Sequence, residues 1–142
     1  MTPDRTTLAE IIARHIGREG PLLPILHDVQ AAFGCIGEDA KRGIAEALNI
    51  SRAEVHGAVS FYHDFSSEAA KLPVIKLCRA EACQARGCED LAANADALAA
   101  GRVKVEPVYC LGLCSVGPNV MIGDAVYARV DAARFAALIG GL

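Results

Sequence analysis

No stretch of this sequence approaches the roughly 18 consecutive apolar residues that span a bilayer, and none resembles a secretion signal. Asp4, Arg5 and Glu10 stand where a signal peptide has a basic segment followed by an apolar one. These absences give the expectation of a cytoplasmic protein without membrane insertion. An excess of one charge is missing too. Fourteen Lys and Arg against 17 Asp and Glu leave a net charge of -3, so there is no basic field to gather phosphates, and nucleic acid is excluded as the expected partner. No G-x-G-x-x-G follows a predicted strand, so the chain lacks a dinucleotide-binding fingerprint. The C-x-x-C of thiol–disulfide shuttles is absent as well. Aromatic residues make up only 5%, and the sequence contains neither an internal repeat nor a low-complexity segment.

What remains is a chain of 142 residues, 53% hydrophobic, with apolar side chains spread along its length. That is enough for one ordinary domain, or for a small domain with a helical extension, and it excludes disorder. Six cysteines are too many for ordinary core residues in a reducing cytosol, and point to metal or redox chemistry before disulfides.

The first 70 residues read as helices. Thr7 and Glu10 have capping-box spacing, and Leu8, Ile11, Ile12 and Ile16 follow at helical period, with a break over 17–20. A second helix is predicted from Pro21, with Leu22, Ile25, Leu26, Val29 and Phe33 on one face. A third is predicted over 38–48, and a fourth from Ser51, where Glu54 repeats the capping-box pattern. It runs into Phe61, Tyr62 and Phe65, an aromatic cluster for which core packing and a partner-facing role are equally open.

At 66–71 the pattern changes to short β-branched runs, giving the domain expectation of 1–70 and 71–142. A strand is predicted over 72–77. A helix carrying Leu91, Ala95 and Leu98 should end at Gly101, and a strand follows over 103–106. A hairpin should turn at Gly123 and Asp124, and a final helix capped by Asp131 should bury Phe135, Leu138 and Ile139. This order makes the second part a small α/β layer structure.

Cys78 and Cys83 follow one predicted strand, and Cys110 and Cys114 follow another, so both pairs should leave the same sheet edge. Residues five apart on a helix point about 140° away from each other, so Cys78 and Cys83 would share a cofactor only across a loop. Structural zinc sites usually use C-x2-C turns, whereas four and three residues separate these pairs. A 2Fe-2S cluster is wider than one ion, and a four-residue gap occurs among plant-type ferredoxins. Spacing favours 2Fe-2S and leaves zinc and metal-free thiols open. Such a cluster, fully coordinated by four thiolates, would carry one electron and have no site for substrate. Amides near Gly112 and Gly117, with Arg79 or Arg86, are candidate regulators of its potential. Cys88 extends the series with another four-residue gap after Cys83 and so could replace a ligand or join the site, but it reads first as a small apolar residue at a helix start, and Cys35 reads as part of a glycine turn. The four histidines occur singly and read as structural or exposed.

With Ala53-Glu54-Val55-His56-Gly57, Phe61-Tyr62, Phe65, the two cysteine pairs and Gly117-Pro118 in view, the chain resembles the thioredoxin-like 2Fe-2S ferredoxin family, which includes the small peripheral subunit of NADH-quinone oxidoreductase. The resemblance implies an α/β fold in which an N-terminal helical bundle precedes a thioredoxin-like ferredoxin domain. It also implies one 2Fe-2S cluster held by Cys78, Cys83, Cys110 and Cys114. The expected partner is a flavoprotein subunit carrying FMN and reacting with NAD or NADH, which leaves this chain a non-catalytic electron-transfer subunit. Cys78-Arg79-Ala80-Glu81-Ala82-Cys83-Gln84 and Glu106-Pro107-Val108-Tyr109-Cys110 look most like the gamma subunit of soluble NAD-dependent formate dehydrogenases. The alternatives are the equivalent subunit of an NAD-reducing hydrogenase or of NADH-quinone oxidoreductase, a thioredoxin-like thiol oxidoreductase, and a zinc-stabilised interaction module. Cys35 and Gly37 depart from the Tyr and Pro of many relatives, and Cys88 from a usually small residue.

Overall fold

The computed structural model describes residues 5–142, and the chain divides into two compact units, Met1–Ala70 and Lys71–Leu142. The first holds four helices: α1 (Arg5–His15), α2 (Leu22–Phe33), α3 (Glu38–Leu48) and α4 (Arg52–Phe61). Each contributes a buried stripe to one core, with Leu8, Ile11 and Ile12 from α1, Ile25, Leu26 and Val29 from α2, Ile44 and Ala45 from α3, and Val55 and Val59 from α4. Full burial of one such Leu, Ile or Val stabilises by about 1.5–3 kcal/mol, which is why the apolar period, and not helix propensity, decides these elements.

Helix ends follow from local chemistry. Ser51 Oγ accepts from the Glu54 amide at 3.1 Å while Glu54 Oε2 accepts from the Ser51 amide at 2.8 Å, completing the expected capping box. The same pattern at Thr7 does not start a helix, because α1 is already under way at Arg5 and Thr7 lies inside it. Ile16, expected on the buried stripe, falls beyond the last helical residue and is 51% exposed. Gly34 ends α2 at φ +73, a left-handed conformation that costs glycine nothing. The aromatic cluster divides: Phe65 joins the core against His27, whereas Phe61 is 73% exposed.

Between α1 and α2, His15 Nε2 lies 2.8 Å from Asp28 Oδ2. Lys41 is buried, and its charge is met by Glu38 at 2.7 Å and by the Ser67 hydroxyl at 3.1 Å.

The second unit contains β1 (Val74–Cys78), α5 (Glu81–Gln84), α6 (Cys88–Ala99), β2 (Lys104–Val108), β3 (Val120–Ile122), β4 (Ala125–Tyr127) and α7 (Ala132–Gly140), with a single 3-10 turn at Cys114–Val116. The sheet order is β2-β1-β3-β4. β1 and β2 run parallel, as a β-α-β crossover requires, and the other two pairings are antiparallel. Alternation along β1 sends Ile75 and Leu77 into a core with Leu91, Ala95, Val120, Val130, Phe135 and Ile139.

Asp131 accepts from the Arg134 amide at 2.8 Å and caps α7 as expected. Gly140 is still helical, and Gly141 ends the helix. Likewise α6 stops one residue earlier than its Gly101 suggested, because Ala100 itself adopts φ +50. The first strand begins at Val74, two residues later than predicted.

Candidate metal centre

Parallel pairing sets the site. Cys78 is the last residue of β1 and the register partner of Val108, the last residue of β2, so Cys110 begins its loop two residues beyond the point where Cys78 ends its strand. The segment between Cys78 and Cys83 is only partly the expected loop. Arg79 and Ala80 turn the chain, and Cys83 then lies within the short α5, where its amide bonds to the Ala80 carbonyl at 2.9 Å. Two residues of non-helical chain suffice to undo the divergence that a continuous helix would impose.

Two close thiol pairs result. Cys78 and Cys83 are buried and hydrogen-bonded to each other, whereas Cys110 and Cys114 are exposed, with their sulfurs 3.6 Å apart. Among the described residues, no three His, Cys, Asp or Glu side chains gather closely enough to hold one metal ion.

Burial opposes ionisation of Cys78, but amide N–H groups of Ala80, Cys110 and Leu111 and the Cys83 thiol outweigh it, leaving Cys78 below the ordinary thiol range. Cys110 adopts φ +84, a conformation costing a non-glycine residue about 1–3 kcal/mol, and its amide is one of those aimed at Cys78. Burial and the neighbouring Cys78 push the Cys83 thiol up to about 11. The hydrogen bond with Cys110 and the charge that Cys110 places beside it raise Cys114.

Sequence reasoning expected amide support near Gly112 and Gly117. The donors found at Cys78 are Ala80, Cys110 and Leu111, and Gly117 acts through its lack of a side chain. A Cβ there would stand 3.0 Å from Cys83 Sγ and 3.4 Å from Cys83 Cα. Arg79 is held by Glu89 in a two-pronged ion pair, Nε to Oε1 at 2.9 Å, so its charge is largely offset. Cys88 opens α6 as a buried residue at the helix start, as read, and packs with Cys78 and Cys83, the pair from which its four-residue gap counts. Cys35 lies in the helical unit.

One residue escaped the sequence reading. Asn119 is 1% exposed, and its Nδ2 donates to Cys83 Sγ at 3.5 Å and to the Leu113 carbonyl at 2.8 Å. The only available signal was a polar residue wedged between Pro118 and the apolar β3.

The sequence model of the thioredoxin-like 2Fe-2S ferredoxin family matches residues 8–142. The chain belongs to this family. The cofactor of a thioredoxin-like 2Fe-2S ferredoxin fits what the site offers: four thiols in two pairs, amides directed at a sulfur, and a glycine where a side chain would press on Cys83. Among relatives, the chain is 29% identical over 122 residues to the NADP-reducing hydrogenase subunit HndA of Solidesulfovibrio fructosivorans, covering 80% of this chain and 71% of that protein. It is 28% identical over 132 residues to an NADH-quinone oxidoreductase subunit of Aquifex aeolicus (strain VF5), covering 87% and 82%. The fold is shared with an NAD+-reducing NiFe hydrogenase in its H2-reduced state, at a TM-score of 0.66 and 24% identity. That match covers 81% of this ferredoxin and 21% of the hydrogenase chain, so the chain spans about a fifth of the solved structure it matches. No helix among the described residues is long and apolar enough to cross a membrane.

Proposed function

We propose that Cys78, Cys83, Cys110 and Cys114 hold one 2Fe-2S cluster, and that the chain is the non-catalytic electron-transfer subunit of a multi-subunit NAD-dependent dehydrogenase. The observation that carries this reading is the delivery of two thiol pairs from the ends of adjacent parallel strands, with the Cys110 amide directed at the Cys78 sulfur. A two-iron cofactor takes four thiolates, and paired thiols suit it better than a single convergent knot.

When bound, the cluster supplies a site that accepts and returns one electron, exchanged with the FMN of a partner flavoprotein subunit that handles NAD or NADH. The protein's own part is electrostatic and steric. Amides of Ala80, Cys110 and Leu111 offset negative charge on Cys78, and burial of Cys78 and Cys83 keeps water from that side. The exposed Cys110 and Cys114, beside a Tyr109 that is 71% exposed, form the face a redox partner would approach.

For the parent complex, the phrases 78–84 and 106–110 favour a formate-oxidising enzyme, with this chain as its gamma subunit. The names of the relatives support, as a second reading, the equivalent subunit of a hydrogenase or of NADH-quinone oxidoreductase. Anaerobically purified protein should be reddish brown, with two iron and two acid-labile sulfide per chain and an EPR signal on reduction. Colourless protein with one tight zinc would sink the cluster assignment. Affinity purification from the source cell should recover a flavin-containing subunit with a formate-oxidising one. Recovery of a nickel hydrogenase or of a quinone-reducing arm would replace the formate reading.

A further inference from the structure

We infer that Asn119, lying between the two cysteine pairs, is a positioning residue that raises the reduction potential of the site by donating to the Cys83 sulfur. The inference rests on the cluster reading above. Asn119 touches three of the segments concerned: its carbonyl accepts from the Cys78 amide at 2.9 Å, its main-chain N–H bears on the Cys83 thiol, and its side-chain Nδ2 bridges Cys83 Sγ and the Leu113 carbonyl, next to Cys114.

The side-chain orientation is fixed by chemistry. The Leu113 carbonyl only accepts, so the atom 2.8 Å from it must be the NH2 group. Both hydrogens of that group are then used, one on each side of the gap between the pairs. Oδ1, in contrast, is buried with no hydrogen-bond partner. An unsatisfied buried carbonyl is destabilising, a penalty an apolar side chain of similar size would avoid. A purely structural bridge to Leu113 does not explain a second donor directed at sulfur. A donor facing a sulfur that carries growing negative charge does: N–H···S bonds favour the more anionic, reduced state, and hydrogen bonds to the sulfurs are among the determinants of potential.

The test is redox titration of the cluster-loaded full chain, followed by EPR, in wild type, Asn119→Asp and Asn119→Leu, with iron and sulfide counted in each. Both variants keep roughly the shape of asparagine and remove the amide donor. At pH 8 the aspartate also places a negative charge beside the sulfur. Both potentials should fall, Asp more than Leu, with a loss of up to about tenfold in the equilibrium constant for reduction, which is ~59 mV for one electron. Asn94→Leu, on the exposed side of α6, should titrate as wild type. Unchanged potentials with full iron content would overturn the inference and leave the cluster reading standing, whereas wild-type protein without iron and sulfide would overturn both. If only Leu sheds the cluster, Asp decides by its potential. Loss from both in a chain still folded by circular dichroism overturns the inference, since removal of one donor would then do more than shift a potential.

Discussion

The Arg79 amide donates to the Val108 carbonyl at 2.8 Å, carrying the pairing of β1 and β2 one residue past Cys78 and into the loop that leads to Cys83. The first cysteine pair is therefore registered against the strand that delivers the second by an ordinary sheet hydrogen bond, before any cofactor is involved.

Serine scanning should separate the six cysteines. Cys83→Ser and Cys110→Ser should lose or alter the EPR signal and lower the iron content, while Cys35→Ser and Cys88→Ser retain the cluster. Cys88→Ser places a hydroxyl in a fully buried position beside Cys78 and Cys83, so a lower melting temperature is expected with the signal preserved. Equal loss of signal in Cys88→Ser and Cys83→Ser would show that the four ligands are wrongly chosen.

Gly117→Ala tests the steric half of the site. The backbone there is at φ -67, which any residue adopts, so a defect arises from crowding alone. The added methyl would stand 3.0 Å from Cys83 Sγ, and that sulfur is buried and hydrogen-bonded to Asn119, so it has little room to give way. Overpacking of this kind costs about 1–3 kcal/mol. Denaturant unfolding should show that loss, and iron content should fall with it. A variant as stable and as iron-rich as wild type would refute the contact.

In cluster-free protein, iodoacetamide should modify the exposed Cys110 first, then the exposed Cys114, whose thiol pKa Cys110 raises, and the buried Cys83 and Cys88 last. Burial raises the thiol pKa of both slow residues, so the thiolate that reacts is scarce at neutral pH. Mild oxidation should join Cys110 to Cys114, whose sulfurs are already adjacent. Peptide mass mapping over a time course distinguishes these outcomes from uniform labelling.

In the helical unit, Ser51→Ala should cost about 1 kcal/mol through the lost cap of α4. Hydrogen bonds from the Ser51 amide and hydroxyl hold Glu54 below the usual glutamate range. Because its folded value is the lower one, its contribution is present above the ordinary glutamate pKa and is lost as pH falls through the folded value. Glu54→Gln should flatten that part of the stability–pH curve. Thermal unfolding from pH 3 to 7 would reveal the difference, and parallel curves for the two proteins would contradict it.

Strong apolar period made much of this fold legible: α3 has the predicted bounds, and the hairpin turns at Gly123 and Asp124 as read. Short-range signals were less sure. The Thr7 and Glu10 spacing is indistinguishable in sequence from a true capping box, yet only Ser51 has the extended backbone, ψ 152, that a cap requires. The short α5 was missed because four residues are too few to establish a period. The four candidate cysteines were singled out in the sequence as two strand-end pairs, whereas Asn119 and the neighbours on which Cys88 packs were not. Both depend on contacts between residues far apart in the chain, which only the closed sheet brings together.

That closure has a consequence in time. Cys78 and Cys110 lie on opposite sides of the α6 crossover, so neither pair meets the other until β2 has docked beside β1. A newly made chain would offer iron only half a nest until then. On the proposed ligand set, cofactor insertion would await completion of the sheet, and colour in the purified protein would report that the crossover has closed.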